Sequence, residues 1–282
     1  MIRRHEGEHT VALMCRVLRV SRSGYYDWRR RGPSKQAQAN VHLLEAIRRV
    51  HTAHKARVGS PRIALHLQEE GRTVGKNRIA RLMREAGLRA KAARKLKATT
   101  NSNHNLPVAP NRLQQDFSAT RPDEKWVTDI TYIETHEGWL YLAVVLDLYA
   151  RRVVGWAMAE RMTSQLVCDA LQMALDRRKT PNGVLVHSDR GSQYCSDVYQ
   201  RLLRRHGLVC SMSKRGDCYD NAAMESWNHS LKVEAIHGER LDTREQAKEH
   251  VFEYIEIYYN RQRLHSRLGY LTPEMFELQN AA

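Results

Sequence analysis

The chain has 282 residues, 42% of them hydrophobic, and a formal net charge of +15 at pH 7. That length holds one catalytic domain of ordinary size plus something smaller, and the apolar content excludes a disordered chain. The charge points to a polyanionic partner and says nothing about fold.

The positive excess is one-sided. Residues 1–110 carry 24 Lys+Arg against 7 Asp+Glu, a net of +17, whereas residues 111–282 carry 22 against 24, a net of −2. A DNA-binding module joined to a nearly neutral domain fits this split; a solvated basic surface without a partner is the alternative. Cys15, Cys168, Cys195, Cys210 and Cys218 are odd in number and show no CxxC spacing. They are expected as reduced, cytosolic thiols, not a disulfide framework. The most apolar run, Tyr141 to Leu148, is broken by Asp147 and too short to span a bilayer, and no apolar core follows Met1-Ile-Arg-Arg. Neither a membrane span nor a signal peptide is expected.

Residues 1–40 form a short basic segment. Val11, Leu13, Met14, Val17 and Leu18 recur at helical spacing, Ser21-Arg-Ser-Gly24 breaks the run, and Tyr25-Tyr-Asp-Trp28-Arg-Arg-Arg31 follows. A DNA-contacting unit and a plain helical hairpin both fit. In residues 41–95, Val41, Leu44, Ile47 and Val50 mark one helix. Gly59-Ser60-Pro61 starts a second, with Ser60 as N-cap and Pro61 at the first helical position. After Gly75, Ile79, Leu82, Met83 and Ala86 face inward on a third helix, with Arg78, Arg81 and Arg84 outside. This is a helix-turn-helix pattern, and the basic excess makes those three arginines candidate DNA contacts; a plain bundle is the alternative.

Residues 96–124 read as a linker. Lys91, Arg94, Lys95 and Lys97 precede the polar tract Thr99 to Asn105, then Pro107, Pro110 and Pro122. Little packed structure is expected, either as a basic tether along a phosphate backbone or as a spacer.

From Lys125 the pattern turns to β. Trp126–Ile133, Trp139–Leu148 and Arg152–Ala159 predict an antiparallel meander. A helix through Leu166, Val167, Ala170, Leu171, Ala174 and Leu175 follows, then a strand Gly183–His187, a helix from about Asp197 to Arg205, and a strand around Leu208–Ser211. With the helix that starts at Asn221, this order predicts an α/β, ribonuclease-H-like mixed sheet with flanking helices over 125–240, preceded by the all-α helix-turn-helix region. Residues 241–282 add a helix opened by a Thr243-x-x-Gln246 capping box, with Val251, Tyr254, Ile255 and Tyr258 inside, and a basic tail.

Three acidic residues stand out. Asp129 interrupts an apolar strand, where a carboxylate is costly unless paired, hydrogen-bonded or metal-bound. Asp189 lies just past the Val184–Val186 strand, where open α/β sheets bind ligands. The two converge if their strands are neighbours. Glu225 lies early in its helix, on a polar stripe of Asn221, Glu225, Asn228 and Lys232, beside an apolar stripe of Met224, Trp227, Leu231 and Ala235. Asp189 and Glu225 are separated by residues 190–224. Each carboxylate alone has an ordinary structural explanation: a buried acceptor, a cap, a surface residue. Together they favour hard cations, Mg²⁺ above all, and two such ions about 3.5–4 Å apart support an in-line phosphoryl displacement. On that stripe the Lys232 ammonium is placed to hold a phosphate.

Trp126-x-Thr-Asp129-Ile-Thr, His187-Ser-Asp189-Arg-Gly-Ser-Gln-Tyr and Asp220-Asn-Ala-x-Met-Glu225-Ser, with Lys232 seven residues on, resemble the catalytic core of OrfB-type transposases of the insertion sequence three family. That family belongs to the superfamily of retroviral integrase. The tail Tyr259-Asn-x-x-Arg263-x-His265-Ser-x-Leu-Gly-Tyr-x-Thr-Pro273 resembles its C-terminal motif, and residues 41–95 its helix-turn-helix. The resemblance implies that Asp129, Asp189 and Glu225 are catalytic metal ligands for Mg²⁺, with Mn²⁺ as a substitute, and that Lys232 contacts the element's terminal DNA. It implies cleavage that frees a 3′-hydroxyl and attack of that hydroxyl on target DNA. Double-stranded DNA, further copies of the chain and the product of an upstream reading frame are the implied partners, and a cytoplasmic, nucleoid-associated location in a bacterium follows. Met1 opens the chain without an obvious heptad run, so the downstream product alone is expected. Trp227-Asn-His-Ser departs from the aromatic-Gly or paired-aromatic versions of the family. Two alternatives remain: a ribonuclease-H-like nuclease that hydrolyses without joining strands, and a DNA-binding regulatory product inactive by itself.

Overall fold

The computed structural model describes residues 1–91, 106–214 and 218–280, without the side chains of 218 and 219. The Arg94–Lys97 cluster, the Thr99–Asn105 tract and the Cys218 side chain lie outside the described residues. The chain divides into two compact units, Met1–Ala90 and Lys91–Ala282.

In the first unit, α1 (Val11–Val17), α2 (Arg22–Arg30) and α3 (Lys35–Ala53) are each opened by a hydroxyl cap. Thr10, Ser21 and Ser34 accept from the backbone N–H of Leu13, Gly24 and Ala37. The expected apolar stripe of α1 is not buried: Leu13, Val17 and Leu18 are exposed, and Ile2, Cys15 and Tyr25 form the small buried core there. On α3 the inner face is Leu43, Ile47 and Val50. Val41 lies in solvent, because the helix begins at Lys35 and its phase places residue 43 inward. Next come α4 (Ser60–Glu69) and α5 (Lys76–Glu85), and Ile63, Leu67, Ile79, Leu82 and Met83 close a core with α3. Ser60 is not the cap. Gly59 holds that position, so Ser60 is the first helical residue and Pro61 the second, one place later than expected but still in the first turn.

The second unit is built on a mixed sheet of β1 (Lys125–Thr135), β2 (Gly138–Asp147), β3 (Arg152–Ala159), β4 (Leu185–Ser188) and β5 (Val209–Met212), in the order β3-β2-β1-β4-β5. β1, β2 and β3 form the antiparallel meander, and β4 and β5 run parallel to β1. On one face lie α6 (Ser164–Arg177), the short α7 (Ser192–Cys195) and α8 (Asp197–Arg205), covering Trp126, Ala143 and Val145. On the other lie α9 (Ala222–Leu231) and α10 (Arg244–Phe252), covering Val127, Ile133 and Val144. Strand alternation thus divides β1 between the two cores. Gly155 of β3 allows α6 to approach: a Cβ there would lie 2.2 Å from the Ala170 carbonyl oxygen and 2.7 Å from the Ala174 nitrogen.

The capping box at Thr243 and Gln246 forms in both halves. The helices after α9 and α10 widen into π-helical turns at Lys232–Ile236 and Glu253–Tyr259. Buried Arg263 holds the first of these turns by bidentate hydrogen bonds to Glu234. α11 (Pro273–Gln279) is fastened to the sheet through ion pairs of Glu277 with Arg152 and Arg178. The tract 106–124 is mostly exposed, as expected of a linker, but it is pinned to the sheet unit at Leu113. Leu113 is buried in the α9 core, and the Arg112 and Leu113 N–H groups donate to Ser211 Oγ. The tract's scattered apolar residues repeat at neither helical nor strand period, so the anchoring of Leu113 has no sequence signal.

Candidate active site

Asp129 occupies the β1 face that carries Val127 and Ile133, so its carboxylate lies on the α9 side of the sheet. Parallel pairing of β1 with β4 aligns Val127 with His187, and two residues further on stand Asp129, within β1, and Asp189, just past the end of β4. Both carboxylates line one groove of about 530 Å³, with Ile130, Tyr132, Trp139 and Gln193 among its walls. The groove opens at the carboxyl end of β4, as the strand arrangement requires. Asp189 Oδ1 accepts from the Gly191 N–H at 2.8 Å, and a Cβ on Gly191 would crowd that oxygen at 3.0 Å.

α9 is tied to β1 along the polar stripe foreseen from its periodicity. Asn221 Nδ2 donates to the Thr128 carbonyl at 3.3 Å, Asn228 Nδ2 donates to Asp129 Oδ2 at 2.8 Å, and Lys232 Nζ lies 4.6 Å from the centre of the Tyr132 ring. Met224, Trp227, Leu231 and Ala235 are buried beneath. Glu225 stands between the two asparagines on that stripe and is exposed. The structure therefore brings Asp129 and Asp189 into one groove and sets Glu225 beside it. Among the described residues, no three His, Cys, Asp or Glu side chains are close enough together to hold a metal ion.

Burial, then the Asp189 carboxylate, raises the Asp129 pKa well above the usual carboxylate range; the Ile130 N–H and the Asn228 amide oppose this. Burial also raises Glu225. A divalent cation reverses that balance by favouring the ionised acids. The donors on offer are carboxylate oxygens, which suit hard cations, so the residues present fit such an ion.

Two residues named in the sequence patterns have roles that only the structure shows. Asn228 was seen only as a member of the stripe, since an amide at that position carries no signal until its partner is known. Asp220, almost fully buried, accepts from Asn111 Nδ2, Gln115 Nε2 and the Lys214 N–H, and so fixes the approach to α9. Of the three arginines on α5, Arg78 donates twice to Asn40 Oδ1 and is half-buried, whereas Arg81, paired with Glu85 at 3.4 Å, and Arg84 are exposed.

Comparison with known proteins bears on this site. Models of an integrase core domain match residues 119–218 and 225–280, and a model of an HTH-like domain matches residues 38–96. The chain is 52% identical over 283 residues to the transposase InsF for insertion sequence IS3A of Escherichia coli (strain K12), covering 100% of this chain and 98% of that protein. The chain belongs to the IS3 family of transposases. It is a DDE transposase, a polynucleotidyl transferase that moves DNA by an integrase-type mechanism using divalent metal, and its core is ribonuclease-H-like. A second relative of this transposase is the insertion element IS600 uncharacterized 31 kDa protein of Shigella sonnei. It is 49% identical over 263 residues, 93% of this chain and 97% of that protein. A simian T-cell lymphotropic virus intasome in complex with PP2A regulatory subunit B56 gamma overlays with a TM-score of 0.48 at 15% identity, over 81% of this chain and 73% of that one. No described helix of the transposase is long and apolar enough to cross a membrane.

Proposed function

We propose that Asp129, Asp189 and Glu225 hold the divalent ions of the transposition reaction, with Mg²⁺ as the metal and Mn²⁺ as its substitute. The observation that carries this reading is the convergence of Asp129 and Asp189 in one groove, with α9 tied to Asp129 through Asn228. When bound, the ions supply charge stabilisation at both the attacking and the leaving oxygen of a phosphodiester. The protein's part is placement. β1 and β4 set the first two carboxylates, and α9, docked on β1 through Asn221 and Asn228, would present Glu225 as the third. Lys232, whose ammonium rests on the Tyr132 ring, contacts a backbone phosphate of the terminal DNA.

The element ends and the target are double-stranded DNA, approached by Arg81 and Arg84 on the exposed side of α5. Arg78 instead braces α5 against α3 through Asn40. Paired ends imply more than one copy of the chain on DNA, and an upstream-frame product is a further partner. A DNA substrate places the transposase at the bacterial nucleoid. A joining assay on the DNA flanking the gene tests the reading. Divalent-dependent joining of a 3′-hydroxyl end that Glu225→Gln abolishes supports it; hydrolysis without joined product would favour a nuclease, and activity in excess chelator would refute metal catalysis.

A further inference from the structure

A second cavity, of about 170 Å³, lies against α9, lined by Arg151, Arg267, His265, Ser226, Trp227 and Phe117 among others. Its chemistry is unusual. Arg151 is only 6% exposed, yet among the described residues neither it nor Arg267 makes an ion pair. Of the five N–H donors of a guanidinium, one group on Arg151, Nη2, donates to the Phe117 carbonyl at 3.0 Å. The acid that acts on Arg151 is already engaged: Asp147 accepts from the Asp123 and Tyr149 N–H groups and pairs with Arg178. Burial, and then the neighbouring Arg267, pull the Arg151 guanidinium down to about 10. Arg151 is also held at φ 53°, in the left-handed region that non-glycine residues seldom adopt. Two arginines thus face one cavity, and among the described residues neither has a carboxylate in ion-pair contact, although buried charges are normally paired. Ser226 at the rim is exposed, as is Arg267, so the cavity opens to solvent.

We propose that this cavity binds a phosphoryl oxyanion, clamped by the Arg151 and Arg267 guanidiniums with the Ser226 hydroxyl at its mouth. Planar guanidiniums match such oxygens with paired hydrogen bonds. The oxyanion is supplied either by a DNA backbone phosphodiester or by free inorganic phosphate. Since the cavity shares α9 with Glu225, a filled cavity fixes the helix that carries that carboxylate. The site uses none of the three proposed metal-binding carboxylates, and its test uses neither metal nor strand joining.

The test compares thermal unfolding of the full chain in inorganic phosphate and in chloride of matched ionic strength. Millimolar phosphate is expected to raise the midpoint by about 2 °C or more in the native chain, and Arg267→Gln to abolish that rise. Without phosphate, Arg267→Gln is expected to melt no lower than the native chain, because it relieves the repulsion on Arg151. Arg151→Gln repeats the test from the buried side; should it not fold, the exposed Arg267 carries the test alone. A random-sequence duplex titrated at several salt concentrations separates the sources. A salt slope smaller by about 0.9 in Arg267→Gln assigns the site to a backbone phosphate, and an unchanged slope with the phosphate rise lost assigns it to the free anion. No phosphate-specific rise in the native chain, or a full rise in Arg267→Gln, would overturn the proposal.

Discussion

Asn228 Nδ2 donates to Asp129 Oδ2 at 2.8 Å, joining the helix that carries Glu225 to the strand that carries Asp129. The other atom of that amide, Oδ1, is buried and accepts no hydrogen bond among the described residues. A carboxylate that binds metal needs its orientation fixed by a neighbour, and losing such a neighbour typically costs about 10–100-fold in metal affinity. Asn228→Leu is therefore expected to weaken Mn²⁺ binding by about tenfold or more, read by calorimetric titration of the full chain. Joining activity should recover at high metal concentration. A lower plateau with an unchanged metal midpoint would instead mark Asn228 as a packing residue.

Acid stability of the second unit should depend on His187. Its ring is fully buried between Ser211 Oγ at 2.8 Å and Ser213 Oγ at 3.1 Å, and burial lowers its pKa to about 4 from an ordinary 6.5. The unfolded chain binds the proton first, so the stability contribution is complete above pH 6.5 and is lost as pH falls from 6.5 towards 4. The loss amounts to at most about 3 kcal/mol. Urea unfolding between pH 7 and pH 4 should show that slope in the native chain and a flatter one in His187→Gln.

Gly155→Ala should be among the most damaging single changes away from the site. The new methyl group would meet the backbone of α6 at Ala170 and Ala174, and neither can yield as a flexible side chain would. A loss of about 3 kcal/mol or more is expected, which in a unit of this size lowers the melting midpoint by roughly 6–12 °C. Unchanged melting would mean that α6 shifts freely, contrary to its packing of Ala170, Leu171 and Ala174 on the sheet.

The arginines of α5 should divide by role. Replacing both Arg81 and Arg84 by Ala is expected to lower the salt slope of duplex binding by about 1–2, with little change in folding. Arg78→Ala should act through stability, because it breaks the double hydrogen bond to Asn40. A drop of roughly 1–2 kcal/mol in the first unit is expected, measured by thermal unfolding beside the binding titration.

How much of this was legible in the sequence depends on the kind of signal. The meander, the helix through Leu166–Leu175 and the convergence of Asp129 with Asp189 were open to reading, because strand alternation and element order constrain them. The polar stripe on α9 was also legible. The partners of its members were not: that Asn228 meets Asp129 depends on the depth at which α9 docks, which Met224, Trp227 and Leu231 determine in three dimensions. The exposure of Val41 was missed for a related reason, since helical phase depends on where the helix starts. The cavity at Arg151 and Arg267 joins a strand turn to the C-terminal tail, and no local pattern encodes that meeting.

Whether Asp129 holds the catalytic metal can be read from a single comparison. The native chain and Asp129→Asn are each given a duplex carrying a free 3′-hydroxyl element end, with Mg²⁺, and joined product is quantified beside the thermal unfolding of both proteins. Joining is expected to fall by at least about 10³-fold, with the fold retained because the amide keeps the shape of the carboxylate. Joining by folded Asp129→Asn at a rate near that of the native chain would contradict metal binding by Asp129.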